Sequence, residues 1–275
     1  MSPQNVHEKR LFLNRVLNYR KSAVPLQDDH THCQVSAVPC LVYIDTLRIN
    51  IKGQNYSQTK YLETTFSKVT SISNKMANTN ILWRKSGGMM TCLATCARDS
   101  RCVSCFLDGQ SYCSGHSAIY RTSSTLQDSQ GLQYYEVQDP ASKLGCVAVP
   151  GDTGYCVKLY VTKLSWPDQV AACQADNMRL ASLTKDVRVN FVRNYLFAIG
   201  HAQAVTVGAS LNSGTWNWMS GDILLFNSPH WGPGEPTSGP GEECVIMAYG
   251  ISYQFNDGQC GTLKSFLCDL VYVAD

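Results

Sequence analysis

Thirteen cysteines in 275 residues restrict what this chain can become more than any other feature. So many thiols do not suit a reducing cytosol. They point to an oxidising compartment and a fold stapled by disulfides. The count is odd, so at least one thiol is unpaired or is paired to another chain. Most fall in two clusters, Cys92 to Cys113 and Cys146 to Cys268, with Cys33 and Cys40 ahead of them. The length has room for two ordinary domains or one large one. A net charge of +2 gives no electrostatic case for nucleic acid or an anionic membrane.

The first residues conflict with the cysteines. Residues 1–22 are polar and basic, with Lys9, Arg10, Arg15, Arg20 and Lys21, and hold no apolar core of secretory length. Leu11, Leu13, Val16 and Leu17 would line one face of a short surface-active helix, but residues 1–57 read better as a poorly ordered leader. The apolar run from Ala37 to Ile44 is too short and broken to span a bilayer, and no other stretch comes near that length. The expectation is a secreted, extracellular chain whose signal peptide is not visible in this sequence. Asn55-Tyr56-Ser57 is an N-glycosylation sequon, which would put Asn55 on a surface. Cys33 and Cys40 are near enough in sequence to pair, although spacing alone does not show that they do.

In the first cluster, Cys92 and Cys96 are four residues apart, on one face of a predicted helix. Arg101 to Leu107 reads as a strand, Asp108-Gly109 as a turn, and Ser111-Tyr112-Cys113 as the start of a return strand. Two helical cysteines could thus be bridged to a hairpin. Zinc is the alternative for so dense a group, but zinc ribbons show two short cysteine pairs on glycine-rich knuckles, and secretion favours disulfides. Residues 58–138 resemble a PAN/apple domain in this Cys-x3-Cys helix followed by a strand cysteine and a hairpin cysteine. The resemblance implies a helix-on-sheet module that binds proteins or sugars, with bridges Cys92–Cys113 and Cys96–Cys102. Cys105 departs from the pattern, standing where the family places an aromatic residue, and is the candidate odd thiol. Residues 139–145 are polar, contain Pro140 and Gly145, and read as a linker.

The second cluster holds Cys146, Cys156, Cys173, Cys244, Cys260 and Cys268. Six cysteines allow 15 pairings. Tyr155 to Val161 is strand-like. Ser165-Trp166-Pro167-Asp168 opens a helix carrying Val170, Ala171 and Cys173. Thr184-Lys185-Asp186 opens a second helix, with Val187, Phe191, Val192, Tyr195 and Leu196 at core spacing and Gly200 as the stop. Short strands follow at 204–209, 215–219, 244–249 and 265–271. Between them runs a Gly/Pro-rich loop, 227–243, long enough to suggest a functional role. That loop carries Glu235-Pro236-Thr237, Glu242 and Glu243, and the strand after it carries Asn256-Asp257. Carboxylates, a carboxamide and a hydroxyl are the oxygen donors that a hard cation such as Ca²⁺ takes in sixes to eights.

Residues 146–271 resemble a C-type lectin-like domain of the long form. The resemblance rests on the Cys146–Cys156 hairpin, helical Cys173, Leu180-Ala181-Ser182-Leu183, Trp216-Asn217-Trp218, Trp231-x3-Glu235-Pro236, Cys244, Asn256-Asp257, Cys260 and Cys268, all in family order. The expected fold is therefore α+β: two small disulfide-rich domains, the second with two helices, antiparallel strands and a long Ca-binding loop. The family implies bridges Cys146–Cys156, Cys173–Cys268 and Cys244–Cys260. In the chain-entropy model the first would contribute roughly 3 kcal/mol and the second somewhat under ~5 kcal/mol. Two departures fall in core positions: Val207-Gly208-Ala209-Ser210 for the family's Trp-Ile-Gly-Leu, and Phe255 for the Trp before Asn-Asp.

In calcium-dependent members the ion sits between the Glu-Pro-Asn loop and the Asn-Asp strand end, and two sugar hydroxyls complete its coordination. Carried over, Glu235, Thr237, Glu242, Asn256 and Asp257 are the expected metal and carbohydrate ligands. Thr237 replaces an asparagine that both coordinates and donates, which predicts weaker calcium binding. The Glu-first order resembles mannose-type sites, and Ser238-Gly239-Pro240 offers no aromatic platform for galactose. Mannose-, fucose- or glucosamine-type glycans are the expected partners, with clustering in an oligomer needed for useful avidity. Protein partners would be reached through the PAN-like module. The alternative is a calcium-independent protein-interaction module that keeps the lectin-like fold. An enzyme is not expected: His116, His201 and His230 sit in no nucleophile–base motif, and no phosphate-binding glycine loop occurs. Trp216, Trp218 and Trp231 read as core.

Overall fold

The computed structural model describes residues 32–35, 38–43, 46–52 and 61–274. Asn55 and the segment holding Leu11 to Leu17 lie outside the described residues. The chain divides into two compact units. The described residues of one fall within 32–148, 153–156 and 271–274; those of the other are Val149–Asp152 and Val157–Leu270.

The first unit is built on an antiparallel sheet of eight strands: β1 His32–Val35, β2 Val38–Tyr43, β3 Thr46–Lys52, β4 Tyr61–Lys68, β5 Ile81–Lys85, β6 Ser104–Leu107, β7 Cys113–His116 and β8 Gln133–Val137. Their order is β1-β2-β3-β4-β8-β6-β7-β5. Three of these strands come from the stretch expected as a leader, and the register of the first two sets Cys33 opposite Cys40. Helix α1, Met89–Arg98, turns Cys92, Leu93, Cys96 and Ala97 inward. These pack on Ile49, Phe66, Cys105, Leu107, Cys113 and Val137. Because strand side chains alternate, Phe106 and Tyr134 leave by the other face. There they join Ile72, Tyr120 and Leu132 in a second core.

Two disulfides, Cys92–Cys113 and Cys96–Cys102, tie α1 to the hairpin and to the loop before it. The hairpin turn is organised by Asp108, whose carboxylate accepts the N–H groups of Gln110, Ser111 and Tyr112 at 2.8–2.9 Å. Those bonds favour its charged form and depress its pKa. Residues 139–145, expected as a linker, contain a short helix, α2, Pro140–Lys143. Asp139 caps it by accepting from the Ser142 N–H at 3.0 Å, and proline at the first position suits the start.

The chain's last described residues belong to this same unit. Ile119 N–H donates to Tyr272 O at 2.7 Å, Ala274 N–H to Ile119 O at 2.9 Å, and Ser124 Oγ to Ala274 O at 2.7 Å. Gly154 admits this segment: a Cβ there would lie 2.0 Å from a Val273 methyl, and its φ is +81°. Cys146–Cys156 also lies within the unit.

In the second unit, α3 Trp166–Ala175 and α4 Asp186–Ala198 accompany the strands β9 Tyr155–Leu164, β10 Val205–Asn212, β11 Thr215–Trp218, β12 Cys244–Ala248, β13 Gln254–Gly258 and β14 Lys264–Val271. The strand β9 enters from the first unit. β14 pairs with β9 and, in parallel, with β10; β10 also pairs with β11 and β12, and β12 with β13. Cys173–Cys268 fastens α3 to β14.

The helices bury more polar groups than their apolar spacing suggests. On α3 the buried residues are Gln169 and Cys173, while Val170 is half-buried and Ala171 exposed. Gln169 Nε2 donates to Leu164 O at 2.7 Å and Lys264 O at 3.1 Å, linking the helix start to β14. On α4 the stripe is Arg188, Val189, Val192 and Leu196. Arg188 is tolerated inside because Nε meets Asp152 Oδ2 at 2.5 Å and Nη1 donates to Ser182 O at 3.1 Å. Trp216, Trp218 and Trp231 are all buried, with Trp216 and Trp231 ring centroids 5.4 Å apart.

Candidate functional site

The loop 227–243 is positioned by its own tryptophan. Trp231 Nε1 donates to Leu225 O at 3.0 Å, and the ring packs on Trp216 and Phe255. Backbone bonds then stitch the loop to β13: Phe255 N–H to His230 O and Gly232 N–H to Phe255 O, each 2.8 Å. The far end is fixed by Cys244–Cys260, with β12 and β13 in register so that Val245 faces Asp257 and Ile246 faces Asn256. Phe255, the smaller ring in place of the expected tryptophan, is fully buried at the centre of this arrangement.

Four of the five expected ligands come together. The Glu235–Pro236 bond is cis. Asp257 is 2 % exposed and reaches into the loop: Oδ1 accepts the Thr237 N–H at 3.0 Å and Oδ2 the Ser238 N–H at 2.6 Å. Thr237 N–H also reaches Glu235 Oε2 at 3.2 Å, and its hydroxyl donates to Glu242 Oε2 at 3.1 Å. Thr237 is therefore the hub that links three carboxylates. Asn256 stands apart. Its neighbours on the strand, Phe255 and Asp257, are both buried, so alternation puts its side chain on the other face, half-buried. It makes no side-chain hydrogen bond to the described residues. Glu243, next to Glu242, is exposed and contributes its backbone carbonyl to Leu211 N–H at 2.9 Å.

The electrostatics of the cluster are unfavourable as it stands. Burial raises the pKa of Glu235, and the adjoining Asp257 carboxylate raises it further through a shared hydrogen bond and like charge; Glu242 adds to this. Such a set of oxygens is relieved by a proton or a cation. The donors are all hard oxygens, which fits calcium in kind. They do not yet converge on one point: among the described residues only Cys96, Cys102 and Cys105 form a ligand group whose atoms all lie within 4.8 Å of one another.

The sequence reading missed two parts of this site. The Ser238 amide, held where φ is +52°, is as close to Asp257 as any ligand side chain. Gly239 lets Glu242 approach, since a Cβ there would lie 2.4 Å from Glu242 Oε2. The Ser-Gly-Pro-Gly run after Thr237 is the signal for both, legible as turn chemistry but not as function.

The histidines acquire partners that their spacing does not reveal. His230 Nε2 lies 2.9 Å from Asp186 Oδ1 beside the loop. His201 Nε2 lies 3.0 Å from Ser265 Oγ, but that hydroxyl donates to Ala204 O, so the imidazole is not its base. His116 Nδ1 faces the Thr79 carbonyl at 3.1 Å, which can only accept, so that nitrogen carries the proton and Nε2 accepts from Ser114 Oγ at 2.9 Å. Ser114 and His116 are both fully buried, out of reach of any substrate.

A family model for the lectin C-type domain matches residues 162–270, the span that contains the loop and all five expected ligands. C-type lectin 1 of Hydrophis hardwickii is 31% identical over 119 residues, covering 41% of this chain and 71% of that protein. This chain belongs to the C-type lectin family. C-type lectin lectoxin-Lio3 of Erythrolamprus poecilogyrus is 29% identical over 119 residues, covering 41% of this chain and 73% of that protein. The CD209 antigen of Macaca mulatta is 24% identical over 116 residues, 42% of this chain and 28% of that protein. Among solved structures, the SPL-1 - GlcNAc complex aligns with 43% of this chain and 89% of its own at 25% identity and a TM-score of 0.39. For this C-type lectin, then, membership rests on sequence. The same comparisons lend no support to the PAN/apple resemblance of residues 58–138. Among the described residues no helix is long and apolar enough to cross a membrane.

Proposed function

We propose that this protein is a secreted lectin that binds glycans in a calcium-dependent way through the loop 227–243 and the end of β13. The observation that carries the reading is the hydrogen-bonded gathering of Glu235, Thr237, Glu242 and Asp257, with like charges set against one another at Glu235 and Asp257. Calcium would supply the positive charge that lets these carboxylates stay ionised together and would accept lone pairs from two neighbouring sugar hydroxyls. Glu235, Thr237, Glu242 and Asp257, with Asn256, are the residues that would hold it. Glu235 and Glu242 each take the Thr237 hydrogen bond on Oε2, which would leave Oε1 to accept from a sugar hydroxyl, and Trp231 and Phe255 keep the loop seated while this happens. Mannose-, fucose- or glucosamine-type sugars suit the Glu-first order and the absence of an aromatic residue at Ser238-Gly239-Pro240. Recognition of microbial or cell-surface glycans follows as the role, with clustering of chains giving avidity.

The first unit, a helix laid on a sheet with bridges Cys92–Cys113 and Cys96–Cys102, is proposed as a PAN/apple-like module for protein partners. One observation favours a second reading of the lectin site. Both Asp257 oxygens already take loop N–H groups, so the loop is closed by its own amides. A calcium-independent protein-interaction module would use such a loop as it is.

Calorimetric titration with Ca²⁺, followed by a glycan array with and without chelator, separates the two. The lectin reading expects calcium uptake and mannose-type signals that EDTA abolishes. Absence of both, in folded protein, overturns it in favour of the second.

A further inference from the structure

Cys105 is a free cysteine, and it is fully buried. It is not isolated. Its Sγ and those of Cys96 and Cys102 all lie within 4.8 Å of one another, and Cys96 and Cys102 are joined as a disulfide. A third sulfur beside a disulfide is the arrangement from which exchange proceeds, by attack of a thiolate on one of the bonded sulfurs.

The fold indicates which sulfur is attacked. Cys96 lies on α1 and Cys105 on β6, and the two side chains share the core between helix and sheet. Cys102 instead precedes Cys105 by three residues on the same stretch of chain. A Cys102–Cys105 bridge would leave α1 tied by Cys92–Cys113 alone, whereas a Cys96–Cys105 bridge keeps this end of the helix fastened to the sheet. We propose that Cys105 is an alternative partner for Cys96, so that the first unit holds an internal disulfide switch between Cys96–Cys102 and Cys96–Cys105.

The step balances without an oxidant. Cys105 gives up its proton and attacks Cys96 Sγ, forming the Cys96–Cys105 bond. The Cys96–Cys102 bond breaks, its electron pair leaves on Cys102 Sγ, and Cys102 takes up a proton in return. Burial works against the Cys105 thiolate, raising the thiol pKa well above the ordinary value. Lys143 works for it: its ammonium is fixed nearby by donating to Cys96 O at 3.1 Å and Asp99 O at 2.6 Å, and its charge opposes the rise. The product anchors α1 to the strand β6 itself instead of to the loop before it, and moves the free thiol to Cys102.

The test is disulfide mapping of the full chain. Cys102→Ser protein is acid-quenched, denatured and alkylated, and its peptides are read by mass spectrometry. The proposal expects a Cys96–Cys105 bridge in most molecules and at least a several-fold loss of label at both positions relative to a reduced control. Full labelling of Cys96 and Cys105 in folded C102S protein overturns it. Should C102S not fold by circular dichroism, the wild type decides. Incubation for hours at pH 7.5, below the value of about 8 to which burial lowers the Lys143 pKa, should move a measurable fraction of label from Cys105 to Cys102, and label confined to Cys105 throughout overturns the proposal.

Discussion

Acid should loosen the first unit through one residue, His116. Its ring is fully buried against Phe106, at a centroid distance of 5.1 Å, and its nitrogens are taken by Thr79 O, Tyr120 Oη and Ser114 Oγ. Burial disfavours the imidazolium and lowers the pKa from 6.5 to about 4, with Arg84 pushing the same way and the Thr79 hydrogen bond only partly offsetting them. At about 1.4 kcal/mol per decade, the difference between folded and unfolded chain amounts to about 3 kcal/mol. A depressed folded pKa means this stability is fully present above pH 6.5, where both states are neutral. It is lost as pH falls toward 4, because the unfolded chain takes the proton first. The assay is urea unfolding of wild type and His116→Gln at pH 7.5, 6, 5 and 4. The stability gap between them should narrow by about 3 kcal/mol across that range. A gap that stays constant with pH would refute the reasoning, as would an imidazole that titrates near 6.5 by NMR in the folded protein.

Three further outcomes are expected. Replacing both Cys173 and Cys268 by alanine removes a link across 95 residues and should cost about 4–5 kcal/mol in the chain-entropy model, read as a lower urea midpoint. Thr237→Asn puts a carboxamide at the hub of the loop and should tighten calcium binding several-fold by calorimetry; unchanged or weaker binding would count against the proposed ligand set. Arg188→Met leaves Asp152 with Lys185 as its remaining cation, at 2.7 Å, and should destabilise the lectin unit by about 2–4 kcal/mol in thermal or urea melts.

The parts of the fold legible in the sequence are those with local causes. Ser165-Trp166-Pro167 predicts a helix start, and α3 begins at Trp166, although Ser165 spends its hydroxyl on Asp168 at 2.5 Å instead of on the helix backbone. The spacing of Val192 and Leu196 predicts the inner face of α4, and both are fully buried. What escaped were long-range polar pairings. Nothing in the run around Arg188 reveals Asp152, 36 residues earlier, so a charged residue in an apolar stripe reads as surface. Gln169 escaped for the same reason, since one of its partners is the Lys264 carbonyl, 95 residues on; the helix at Pro140–Lys143 has a local signal in its Asp139 cap and Pro140, but at four residues it shows no apolar period. At the site, the oxygen-bearing residues are visible in sequence because their types are distinctive. The separation of Asn256 from the other four is set by strand alternation along β13, which runs through Gly258 instead of ending at the Asn-Asp pair.

The strand-like tail at Tyr272 to Ala274 also bears on how the protein is made. A ribosome delivers the chain from its first residue to its last, and domains generally fold as they emerge. The first unit here needs residues from beyond the lectin unit: Ile119 and Ser124 must wait for Tyr272 and Ala274. The C-terminal half can therefore reach its final form as soon as residue 270 is clear, while the N-terminal half, begun earlier, is completed later. Losing residues 272–274 would leave every proposed ligand residue in place and take from Ile119 and Ser124 the partners that complete the first unit.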